Sequence, residues 1–177
     1  EGVILEISNN AQHVVSKVHT DKVYFSRLPD SPAATTLRDA AAPIDFGLFH
    51  GVSRAPSICL DSSISGMTVE IDPARPDRFT CAWISLPAHA LSFPLTMGQR
   101  ATPAALVNGD AYRLARGITG RSDLWQAIEG RMHVSMERMK TQERAAGSPP
   151  QEAAVLDRWA QSQAAMILGI LQAIGHP

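Results

Sequence analysis

The chain is poor in cysteine, in aromatic residues and in net charge, and it has no long apolar run. Its 177 residues include two cysteines, Cys59 and Cys81. That is too few for a disulfide framework at this length, which points to a reducing compartment and a cytoplasmic location. One bridge between the two stays open if their strands are neighbours, and so does a leader removed ahead of Glu1. The longest apolar stretch, Ala164 to Leu171, falls well short of the roughly 20 residues that cross a bilayer, so no membrane span is expected. A formal net charge of -1 speaks against a broad phosphate-binding face, and no nucleic-acid partner is expected. The first 99 residues are net acidic and the remainder net basic, an asymmetry that a solvated helical surface accounts for.

Motifs are scarce as well. There is no Cys-x-x-Cys pair, glycine-rich phosphate loop, dinucleotide fingerprint, Ser-x-x-Lys or Gly-x-Ser-x-Gly pattern. The six histidines, His13, His19, His50, His89, His133 and His176, never stand four residues apart. Spacing therefore offers no metal site and no cofactor, although a site assembled from distant positions leaves no mark of this kind. Internal repeats and low-complexity segments are absent too.

What is present is a globular composition, 45% hydrophobic and 19% charged, with its periodicity changing along the chain. Alternation in Gly2 to Ser8, Gln12 to Val18 and Val23 to Leu28, broken at Asn9-Asn10 and His19 to Asp21, predicts an antiparallel meander. Ala33 to Ala42 reads as a short helix opened by Ser31-Pro32. Ser57 to Leu60 and Met67 to Ile71 read as the arms of a hairpin around Asp61 to Gly66, and Phe79 to Leu86 as a central strand covered on both faces. Pro87 to Gly98 reads as irregular chain. Thr102 to Ile118 suggests a helix weakened at Asn108-Gly109. A second helix from Ser122 or Asp123 carries the stripe Trp125, Ile128, Met132, Met136 and Met139. A third spans Gln151 to Ile174, with Val155, Trp159, Met166, Ile170 and Ile174 near one face. The expectation is one α+β domain over residues 1–177, sheet-rich in 1–98 and helical in 99–177. It has an antiparallel sheet of about five strands followed by three helices packed on one face.

The candidates for chemistry cluster in Ile44 to Asp72. Cys59 has His50 and Asp61 near it in sequence, the residue types of a thiol nucleophile, a base and an orienting carboxylate. The bland alternative is a small strand residue. His50-Gly51-Val52-Ser53-Arg54 has the composition of an anion-binding loop, with His50, Ser53 and Arg54 as donors. Met132, Met136 and Met139 form an adaptable apolar stripe that suits either a core or a partner groove.

FGLFHGVSRAPSICLDSSISGMTVEI resembles the helix-to-hairpin passage of the class I type III secretion chaperones, the Tir-chaperone family, with Ile4, Val14, Val23 and Phe25 in the preceding meander. The resemblance covers about half the chain. It implies a bacterial homodimer that holds an extended segment of a secreted protein without catalysis. The leading expectation is thus a non-enzymatic interaction module, a chaperone or adaptor with a protein partner. The alternatives are a thiol hydrolase or transferase using Cys59, and a small-ligand sensor domain with its pocket between the sheet and the helix bearing Trp125.

Overall fold

The computed structural model describes residues 5–9, 13–19, 22–25, 32–40, 45–55, 58–59, 62–86, 88, 90–117, 121–146 and 148–175, the first three segments as backbone. Three strands come first: β1 (Leu5–Asn9), β2 (His13–His19) and β3 (Lys22–Phe25). They are followed by helices α1 (Pro32–Arg38) and α2 (Phe46–Ser53), strand β4 (Gly66–Glu70), the short helix α3 (Pro76–Phe79), and strands β5 (Cys81–Ser85) and β6 (Ser92–Thr96). Helices α4 (Ala104–Val107), α5 (Asp110–Arg116), α6 (Ser122–Arg144) and α7 (Pro149–Gly175) complete the chain. The α+β class and the antiparallel sheet are as the patterning predicts. The counts are not: six strands in the order β3-β2-β1-β4-β5-β6 and seven helices are present among the described residues.

Each departure has a local cause. Residues 92–96 form a strand although Pro94 interrupts the pattern. β6 lies at the sheet edge, where a missing N–H is tolerated, and Pro94 pairs opposite Trp83. Among the described residues the proposed hairpin has only one strand arm. Ile58 and Cys59 instead close a turn after α2, their amides both donating to the Ala55 carbonyl, and β4 pairs with β1 and β5. The helix expected over Thr102 to Ile118 is divided at Asn108-Gly109, where Gly109 has φ 79, a conformation that favours glycine. No disulfide joins Cys59 and Cys81.

Register decides what the helices meet. Thr68 lies opposite Trp83, and Trp83 opposite Pro94; Glu70 lies opposite Cys81, and Cys81 opposite Thr96. Directly paired residues share a face, so Thr68, Glu70, Trp83 and Ser92 line the side that α2 and α6 cover. By the same alternation Phe93 belongs to the opposite face, where Tyr112 of α5 meets it edge-on at 5.1 Å. Helical cover therefore extends beyond the single face expected. Strand β5 is only half-covered on its second side, since Ala82 and Ile84 are partly exposed.

The helix stripe Trp125, Ile128, Met132, Met136 and Met139 is buried in the main core with Phe79, Trp83, Leu156 and Ile167. Met132, Met136 and Met139 are core side chains, and the partner-surface reading of them is corrected accordingly. The phase of α7 also differs: Leu156, Trp159, Ala160, Ile167 and Leu171 are buried, whereas Ile174 is exposed. Small residues carry part of that face, and alanines are easily missed when a stripe is traced through large side chains.

Met136→Ala should lower unfolding free energy by about 2–5 kcal/mol in a urea titration, and Met136→Asp should leave no folded monomer. Gly98→Ala should also destabilise. Its Cβ would stand 2.5 Å from Leu156 Cδ1 and 2.9 Å from the Arg78 carbonyl oxygen, and the backbone atom cannot swing away.

Candidate functional site

The polar groups of the covered sheet face meet α2 and α6 in one place. Asp45 caps α2 by accepting the Leu48 amide at 2.8 Å. Phe46, His50 and Arg54 then follow at four-residue intervals and point from one side of the helix. Glu129 and His133 stand in the same relation on α6. Arg54 donates to both carboxylate oxygens of Glu129, at 2.8 Å to Oε2 and 2.6 Å to Oε1. It also donates to the Ala90 carbonyl at 2.7 Å and to Ser92 Oγ at 2.6 Å. The Ser92 amide completes the cage by donating to Glu129 Oε1 at 2.7 Å.

His50 stands between this pair and the sheet. Its Nδ1 is 3.0 Å from Thr68 Oγ1, and its Nε2 is 3.3 Å from Glu129 Oε2, without a well-aligned hydrogen bond. Ser53 Oγ donates to the His50 carbonyl at 2.6 Å and lies 3.3 Å from Thr68 Oγ1. Burial pushes the His50 pKa below its ordinary value, against the pull of Glu129, and the ring is neutral. Burial alone would raise the Glu129 pKa. The contact with His50 and the Arg54 charge outweigh it, so the carboxyl is held below its usual range and ionised. The proton on Nε2 gives the consistent arrangement, because it faces the carboxylate and leaves Nδ1 to accept from Thr68.

Phe46 is sandwiched between two imidazoles. It stacks on His50 with centroids 4.9 Å apart and on His133 at 4.7 Å, with 3° between the latter planes. Its ring also meets Trp83 at 4.7 Å. Above this layer a groove of about 720 Å³ opens between α2 and α6, lined by Phe46, His50, Arg54, Trp125 and Glu129 among others. Three glycines line it as well, Gly47 and Gly51 from α2 and Gly130 from α6. A smaller cavity of about 40 Å³ lies beneath His50 and is lined by Cys59, Ser53 and Thr68. It has room for water and not for a substrate.

The sequence candidates fare unequally. His50, Ser53 and Arg54 do come together, but as the last turn of a helix and its cap, not as a loop. The Ser53 hydroxyl and the Arg54 guanidinium are directed inward, so the anion-binding loop reading is corrected. His50 and Cys59 border the same small cavity, while Asp61 lies outside the described residues. The carboxylate that faces His50 is Glu129. The order Thr68, His50, Glu129 is that of a hydroxyl, base and orienting acid, yet Thr68 is 2% exposed, so these bonds fix His50 and do not present a nucleophile. Burial pushes the Cys81 thiol up, out of reach of thiolate chemistry. Glu129, Thr68 and Phe46 were not among the sequence candidates. The four-residue spacing of Phe46, His50 and Arg54 was the available signal. No protein-family model matches the chain, and neither curated proteins nor solved structures give a match.

Two measurements probe the network. Glu129→Ala should cost about 3–5 kcal/mol by leaving Arg54 buried and unpaired, and the double variant Arg54→Met/Glu129→Leu should recover most of it in urea titrations. Because His50 is neutral when folded and protonates near 6.5 when unfolded, its contribution is complete above that pH and lost as the pH falls below it. Wild-type stability should therefore decline below pH 6.5 with a component of at most about 1.4 kcal/mol per pH unit, which His50→Gln removes.

Proposed function

We propose that the groove between α2 and α6 is a binding site for a small, flat, largely apolar organic molecule. The observation that carries this reading is the groove's construction. Its volume of about 720 Å³ falls within the roughly 300–1,000 Å³ range of ligand pockets, and both helical walls use glycine. A methyl group at Gly51 or Gly130 would meet no atom within 4 Å, so internal packing does not require glycine at either position. Each costs a helix about 0.5–1 kcal/mol relative to alanine. Gly169 of α7 is equally unobstructed, so a helical glycine alone says little; the weight rests on three of them bordering one cavity. The Trp125 ring borders the groove too and, with Phe46, gives it an aromatic wall suited to a flat occupant. The ionised Glu129 and neutral His50 form a rigid polar floor.

An interaction module of the secretion-chaperone kind would place a segment of its partner in the same groove. The dimensions favour the small molecule, and the methionine stripe no longer supplies a partner surface. A thiol hydrolase or transferase would need the 40 Å³ cavity to open before a substrate reached Cys59.

The test is a thermal-shift screen of small neutral aromatic compounds, followed by tryptophan quenching. Hits should stabilise the wild type and bind Gly130→Leu at least about tenfold more weakly. Gly130→Ala without ligand should be more stable than wild type by about 0.5–1 kcal/mol. Hits that bind Gly130→Leu as well as wild type would place the site elsewhere.

A further inference from the structure

A second polar cluster lies on the far side of the Phe46–His133 stack. His133 and Glu137 are one helical turn apart on α6, and Glu70 projects from β4 towards both. One ligating atom from each of the three lies within 4.8 Å of the others. His133 Nε2 is 3.4 Å from both Glu70 oxygens. Stacking on Phe46 fixes the plane of the imidazole, as outer contacts do for metal-bound histidines. At metal–ligand distances of about 2.0–2.2 Å, small side-chain rotations bring such donors around one ion.

Two further observations point to a cation. Glu70 Oε2 is buried without a hydrogen-bond partner. The charge around it is also unbalanced among the described residues: the carboxylates of Glu70, Asp72 and Glu137 face the cations Lys140 and Arg144. Lys140 Nζ lies 2.8 Å from Glu137, 3.7 Å from Asp72 and 3.9 Å from Glu70, while Arg144 reaches Asp72 at 3.7 Å. The Lys140 ammonium thus stands among the carboxylates that would receive a metal, on a side chain that is itself buried.

We propose that Glu70, His133 and Glu137 bind a divalent transition-metal cation, zinc being the type case, which displaces the ammonium of Lys140. One imidazole and two carboxylates suit zinc, manganese or iron(II) better than calcium. Three protein ligands leave positions open to water, and His133 also borders the groove, so the ion stands at the edge of the proposed ligand site. The inference goes beyond that reading and does not depend on it.

The experiment is a zinc titration against a chromophoric chelator, with thermal stability read in parallel. Wild type should bind one equivalent and gain stability. His133→Gln and Glu137→Gln should each weaken binding at least about tenfold. Lys140→Met, which removes the competing cation, should tighten it. Gly130→Leu, which fills the groove, should bind zinc as wild type does, so failure of the ligand reading and failure of this one give different results. No binding to wild type, or unchanged binding in His133→Gln, overturns the proposal. Binding confined to Lys140→Met overturns it too, because the ammonium is then the resident cation.

Discussion

The pairing of Arg54 with Glu129 is the constraint on which the arrangement of this protein depends. An ionised carboxylate withdrawn from water costs several kcal/mol unless it is fully bonded. Here it is met by a bidentate guanidinium and by the Ser92 amide. The three groups come from the end of α2, the N-terminal half of α6 and the start of β6, so the requirement to satisfy one charge fixes three elements against each other. The hydrogen bond from Arg54 to the Ala90 carbonyl extends that hold to the connection before β6.

The consequences spread along the covered sheet face. With α2 anchored at its C-terminal end, His50 and Phe46 must lie over Thr68 and Trp83, one and two turns back. His50 is then buried beside a carboxylate and a hydroxyl, and burial keeps it neutral. Phe46 fills the space between two imidazoles, which joins the His50–Glu129 network to the Glu70–His133–Glu137 cluster through one aromatic layer. The groove is what remains above this layer, because glycines on α2 and α6 leave the two helices uncovered there.

The two polar clusters differ in how they are balanced. Around Glu129 every charge is bonded and sealed, which suits a rigid wall. Around Glu70 the contacts are longer and the carboxylates outnumber the cations. Glu137 is exposed, and the buried Lys140 is shared among three carboxylates. Exchange of one cation for another is what the proposed metal site requires of the second cluster; at the first it would be ruinous.

The sequence by itself determined the class, the meander and the two long helices, because hydrophobic period, turn residues and caps act within a few positions of one another. It also placed the methionine stripe on one side of α6, leaving open whether that side was core or surface. Edge strand β6 was hidden by Pro94, whose missing N–H matters only in a central strand, and that position in the sheet is a tertiary fact. The feature order of residues 46–70 suggested a hairpin because Ser57 to Leu60 has strand-like composition. The helical turn closed on Ala55 by Ile58 and Cys59 overrode it. His50 was legible as a polar residue near Cys59. Its partners were not, since Thr68 and Glu129 lie 18 and 79 positions away, and nothing local distinguishes Glu129 from the solvated Asp123 and Glu137 of α6. Only the tertiary structure decided that this glutamate is buried, because its burial depends on an arginine at the end of a different helix.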